Sequence, residues 1–137
     1  MTDRFPTLLA ALGLVIGSAA ALFYSQQGLT LSHYDAKAHL VVARRVLDSL
    51  TPEYSQIGAV WLPLPHLLNL LPVQIDWFYR TGASGVAISV LSFALAWYAI
   101  ARLVVRVTGS RVAAAIGVAM FALNPNVLYL QSTPMTE

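Results

Sequence analysis

The chain has 137 residues, of which 58% are hydrophobic and 10% charged, with a net charge of +2 and a mean hydropathy of +0.68. Soluble domains carry about 25% charged residues, and a chain of this size has no single core able to hide so much apolar surface, so the bilayer is its expected solvent. The net charge is too small to point to nucleic acid as a partner, and the absence of cysteine excludes disulfides, thiolate metal sites and a cysteine nucleophile.

Residues 7–24 carry no charge. At about 1.5 Å per residue a helix over them is roughly 27 Å long, enough for the hydrocarbon core. A signal peptide is the rival reading, given Arg4 in front and the small residues Ser18-Ala19-Ala20-Ala21. The apolar run favours a retained anchor, because it passes through those small residues to Leu22-Phe23-Tyr24.

Residues 25–80 form a long mixed loop that holds most of the ionisable groups. Within it Ala36, Leu40, Ala43, Leu47 and Leu50 recur at helical spacing, which predicts an amphipathic helix on the membrane surface or across the ends of spanning helices. Thr51-Pro52 ends it, since a residue before proline avoids the helical region. Across Trp61-Leu62-Pro63-Leu64-Pro65-His66 the two prolines exclude a regular helix; a short one over 66–71 then stops at Pro72. Asp76-Trp77-Phe78-Tyr79-Arg80 has the aromatic character of a membrane interface, with Asp76 and Arg80 spaced to pair on a helix face.

A second span is expected over 82–105, and a third over 112–130. The turn Thr108-Gly109-Ser110 between them is flanked by Arg102, Arg106 and Arg111 with no acid, which places that connection, and Arg4 with it, in the cytoplasm. The 25–80 loop and Glu137 then face outward. Asn124-Pro125-Asn126 interrupts the third span. Either this break is covered by protein or a water-filled cavity, or the span is near its outer end there. The expected fold is therefore an all-α membrane protein: about three transmembrane helices, with an amphipathic-helix outer loop between the first and second.

Few residues have the chemistry for a site. Asp35, just outside the first span, suits a general base on an acceptor hydroxyl or a ligand to a divalent cation. Its position in Ser32-x-x-Asp35 equally suits a capping box at the start of the amphipathic helix. His39 lies one turn on, but a histidine and a carboxylate are only two metal ligands; His33 and His66 are weaker candidates. Arg44 and Arg45 match a phosphate, a lipid headgroup, or Asp48 and Glu53 as salt-bridge partners. Glu137 is expected on the same side as Asp35. There is no glycine-rich phosphate loop, no Ser–His–Asp spacing and no HExxH.

Several strings share an order and spacing. They are Tyr34-Asp35-Ala36-x-x-His39-Leu40, Ala43-Arg44-Arg45, Gly58-x-Val60-Trp61-Leu62-Pro63-Leu64-Pro65-His66, and Asn124-Pro125-Asn126-x-Leu128-Tyr129 through Thr133-Pro134-Met135-Thr136-Glu137. Together they resemble the start of GT-C membrane glycosyltransferases, in particular the bacterial family akin to protein O-mannosyltransferases and the aminoarabinose lipid A transferase. The resemblance covers nearly the whole chain. It implies sugar transfer from a polyprenyl-phosphate-linked donor to a glycan, lipid or protein acceptor on the non-cytoplasmic side of the bacterial inner membrane. It also implies catalytic roles for Asp35 and Glu137, and substrate binding by Arg44, Arg45 and His39. No cofactor is implied beyond a possible divalent cation. Many relatives carry an acidic pair in the first loop, whereas here Ala36 follows Asp35. Relatives also have many more spans, so the chain is expected to be an amino-terminal part, inactive alone. The alternative is a small non-enzymatic integral membrane protein, or a transporter or complex subunit.

Overall fold

A computed structural model of the chain describes residues 4–57 and 61–135; Glu137 and the Gly58 and Val60 of the third string lie outside them. All regular structure among the described residues is helical. It comprises α1 Phe5–Gln26, α2 Tyr34–Arg45, α3 Pro63–Asn69, α4 Asp76–Thr81, α5 Ala83–Thr108, α6 Arg111–Ala122 and α7 Pro125–Leu130, with 3-10 turns at Tyr54–Ile57 and Pro72–Gln74.

Two helices, α1 and α5, are long and apolar enough to cross a membrane. Their 22 and 26 residues give lengths of about 33 and 39 Å. Only 17% and 28% of their most apolar windows are buried, so both leave most of their apolar surface uncovered by the described residues. Leu8, Val15, Leu22, Leu95 and Leu103 point outward. Pro6 fits the first turn of α1, where its missing N–H is not needed. Glycines with left-handed backbone bound α5, Gly82 at φ 72° and Gly109 at φ 68°, and only glycine takes that conformation without strain.

The two long helices pack against each other. Gly13 of α1 leaves the space filled by Trp97: a Cβ there would lie 2.8 Å from the indole. Gly17 does the same for Phe93, at 3.1 Å. On its other side α5 meets α6. Phe93, Trp97 and Ala101 face Ala114, Val118 and Ala122, two stripes at four-residue spacing that form the main core.

The third apolar stretch is not one helix. With 12 residues, α6 extends about 18 Å, short of a hydrocarbon core of about 30 Å. It stops because Asn124 turns the chain and caps α7, its side-chain oxygen accepting the Asn126 N–H at 3.0 Å. After α7 the buried residues Gln131, Ser132 and Thr133 return the chain to the start of α5, where the Ser89 hydroxyl donates to the Thr133 carbonyl at 2.7 Å. Pro134 sits on Gly85, where an added Cβ would lie 2.6 Å from the proline ring. Asn124, Pro125 and Asn126 themselves are exposed.

The helices α2, α3 and α4 gather at the end of the bundle where α1 finishes and α5 begins. Their small core is Leu40, Ala43 and Val73, with Leu31 and Tyr79 packed on it. The expected apolar stripe of α2 holds for Ala36, Leu40 and Ala43, which are buried, and fails for Leu47 and Leu50, which are exposed. The helix ends at Arg45, so the periodicity no longer applies, and Val46 is buried instead. The prolines at 63 and 65 do not exclude a helix: both fall in the first turn of α3, where no intrahelical donor is lost.

Replacing Gly85 by alanine should lower unfolding stability by about 1–3 kcal/mol, the usual cost of overpacking, because backbone and ring atoms of Pro134 must move. Gly117→Ala, whose nearest neighbours would be 3.7 Å away, should change it little. Denaturant unfolding in detergent compares the two.

Candidate functional site

The polar residues singled out in the sequence collect in the α2–α4 layer. Asp35 is the second residue of α2 and its side chain is 39% exposed. The helix cap is His33, not Ser32: the His33 Nδ1 accepts the Asp35 N–H at 3.2 Å, so Nδ1 carries no proton in this arrangement. The Asp35 carboxylate lies 3.7 Å from the same Nδ1. Ser32 is turned away, bonding the Leu29 carbonyl and the Tyr129 hydroxyl, each at 2.9 Å. The capping-box expectation therefore fails in its first member, because the chain enters α2 one residue later than Ser32.

His39 is buried and points into the layer, where its Nδ1 meets Nε2 of His66 at 2.8 Å. The rings stack with centroids 4.9 Å apart, and Trp61 covers His39 at 4.6 Å. One imidazole must donate and the other accept, so the pair joins α2 to α3 through a single proton. Beneath it, Ser84 of α5 donates to Asn69 of α3 at 2.6 Å. Asp35 and His39, one turn apart, are not hydrogen-bonded to each other among the described residues. His66 is the residue the sequence undervalued. The signal was available on its partner: His39 lies between Ala36 and Ala43 on the buried face, where an imidazole requires a polar neighbour.

Arg44 is shared by two carboxylates. Its Nε lies 2.8 Å from Asp48 and an Nη 2.7 Å from Asp76, and its guanidinium sits 4.5 Å from the centre of the Tyr79 ring. The bonds to Asp48 and then Asp76 raise the arginine's pKa, and the bond to Arg44 lowers that of Asp76. Asp76 thus pairs across the layer and not with Arg80, its expected partner on α4. A phosphate at Arg44 would have to displace a carboxylate. Arg45 is bound through Nε, which donates to the Gln56 carbonyl at 2.7 Å, leaving the far edge of its fork available.

Among the described residues no three His, Asp or Glu side chains cluster as a cation site. The layer therefore brings together His39, His66 and Trp61, places Asp35 open to solvent on the same helix, and ties Arg44 into ion pairs. No protein-family model, curated protein or solved structure matches the chain.

Two predictions follow from these contacts. Removing either imidazole of the pair, as in His39→Leu or His66→Leu, should cost about 0.5–1.5 kcal/mol, the net contribution of a hydrogen bond. The double variant should be less destabilised than the sum, by about 0.5–3 kcal/mol of coupling, read from a double-mutant cycle. For Asp76, the folded-state pKa lies below the unfolded value. Its contribution is complete above the unfolded pKa and is lost as pH falls through the folded one, that is, below about pH 4. The acid limb of a stability–pH curve should therefore be shallower in Asp76→Asn than in the parent chain.

Proposed function

We propose that the chain is the amino-terminal membrane portion of a glycosyltransferase. It would transfer sugar from a polyprenyl-phosphate-linked donor to a glycan, lipid or protein acceptor on the non-cytoplasmic side of a bacterial inner membrane. In this reading α1 and α5 are spans and α6 with α7 is a broken third one. The arginine-rich α5–α6 connection is cytoplasmic, and the α2–α4 layer faces outward. The close packing of α1 along α5 supports a retained anchor over a cleaved leader.

The observation that carries the reading is convergence. The strings that resemble GT-C transferases are far apart in the chain, yet members of two of them meet, and the fourth is bonded to the outer loop and to α5. His39 touches His66 and Trp61, Ser32 of the outer loop touches Tyr129, and Ser89 holds the turn before Pro134. The exposed break at Asn124, just past the end of α6, adds support. At membrane depth it needs cover from further protein or from a water-filled cavity, and a polytopic transferase supplies either.

In this mechanism the Asp35 carboxylate accepts the proton of the acceptor hydroxyl as that oxygen attacks the anomeric carbon. The polyprenyl phosphate leaves with the electron pair of the broken bond. Arg45 is the better placed of the two arginines to meet the donor phosphate, since Arg44 already holds two carboxylates. Glu137 is the second acid of this reading.

A second reading is a non-enzymatic integral membrane protein. It is favoured by the place of Asp35 in the first turn of α2, where a carboxylate stabilises a helix without doing chemistry. Sugar transfer by the complete reading frame, measured in membranes supplied with lipid-linked donor, separates the two. Asp35→Asn should reduce turnover by about 10²–10⁴-fold, the usual scale of general-base catalysis. Near-normal turnover would remove Asp35 from the chemistry.

A further inference from the structure

At the end of the bundle away from α2, the start of α1 and the last turns of α5 enclose a cavity of about 490 Å³. Arg4 and Pro6 line it from α1, and Tyr98, Arg102, Val105 and Arg106 from α5. The α5 residues recur at helical spacing and so share one face. The packing of α1 along α5 adds Arg4 to them. Among the described residues no carboxylate lines the cavity and none of these three arginines is in an ion pair. Arg102 donates to the Tyr98 hydroxyl at 2.9 Å.

The contrast with Arg44 is instructive. There the fold places two acids on one guanidinium; here it places three guanidiniums around one space with no acid among the described residues. Such groups repel one another unless an anion sits between them, and their planar forks match phosphate oxygens. The start of α1 adds to the effect. Its first turn holds no acid, and the positive end of the helix dipole faces the same region. Pro6 and Val105 give the cavity an apolar wall beside this charge. With α1 and α5 as spans, it lies at headgroup level on the cytoplasmic side.

We propose that this cavity binds the phosphate headgroup of an anionic phospholipid, held by Arg4, Arg102 and Arg106, with the first acyl carbons against Pro6 and Val105. The proposal rests on reading α1 and α5 as spans but is independent of the transferase activity. The probe is native mass spectrometry of the purified chain in detergent with equal amounts of phosphatidylglycerol and phosphatidylcholine. Phosphatidylglycerol should be retained over phosphatidylcholine by roughly tenfold or more, on the scale of basic groups near anionic lipid. The preference should fall to near parity in Arg102→Gln/Arg106→Gln. It should largely survive in Arg102→Lys/Arg106→Lys, and should be unchanged in Arg80→Gln at the opposite end. Equal retention of phosphatidylglycerol by the double glutamine variant would overturn the site. Displacement of the lipid by millimolar inorganic phosphate would assign the cavity to a soluble anion and overturn the lipid. Alkaline extraction of the chain from native membranes would refute the spans themselves, whereas a membrane-retained chain with no anionic preference would refute only the lipid site.

Discussion

Trp97 and Phe93 lie against the backbone of α1 because Gly13 and Gly17 carry no side chain there. Between apolar helices in lipid there is little hydrophobic driving force, and close backbone approach supplies the attraction instead. The other side of the same two aromatics forms the core with α6. One face of α5 therefore fixes both neighbours. From this contact follows the place of the third apolar segment, which runs along α5 until Gln131 reaches the Gly17 carbonyl at 3.2 Å. The same contact sets the line on which the outer layer stands.

The two ends of this bundle differ in how they treat charge. The α2–α4 end pairs nearly everything: imidazole with imidazole, Arg44 with Asp48 and Asp76, Ser84 with Asn69. Asp35, half-buried at the helix start, has only the His33 ring near its carboxylate, at 3.7 Å. At the other end Arg4, Arg102 and Arg106 make no ion pair among the described residues. The asymmetry gives the molecule a direction that composition alone does not show.

The long elements were legible in the sequence because charge-free runs of spanning length have few alternatives. The expected 7–24 and 82–105 became Phe5–Gln26 and Ala83–Thr108. The start of α2 was also legible, since Ala36, Leu40 and Ala43 are packed as their spacing requires. What was not legible depended on contacts distant in the chain. Leu47 and Leu50 keep the period of α2 after the helix has stopped. Pro65 reads as the first position of a short helix, but Pro63 reads as a breaker before it until it is known that both stand in one first turn. Asn124 reads as an interruption, but only its capping bond to Asn126 shows that a new helix starts there. Asp48 was legible as a partner of Arg44, four residues on, but His66 lies 27 residues from His39 and Asp76 lies 32 from Arg44, and no local pattern announces those two. Of the expected site, the structure shows Asp35 open and Arg44 occupied, while Glu137 lies outside the described residues.

The central claim is that the bundle has one outward end bearing Asp35 and one cytoplasmic end bearing the arginines. The absence of cysteine makes the direct measurement simple: single cysteines are introduced at Lys37 in α2 and at Thr108 at the end of α5, and treated with a membrane-impermeant maleimide in intact cells whose outer barrier has been opened. Labelling of Lys37→Cys before lysis, and of Thr108→Cys only after it, is the predicted result. Labelling of both from the same side, or of Thr108→Cys alone before lysis, would contradict the account.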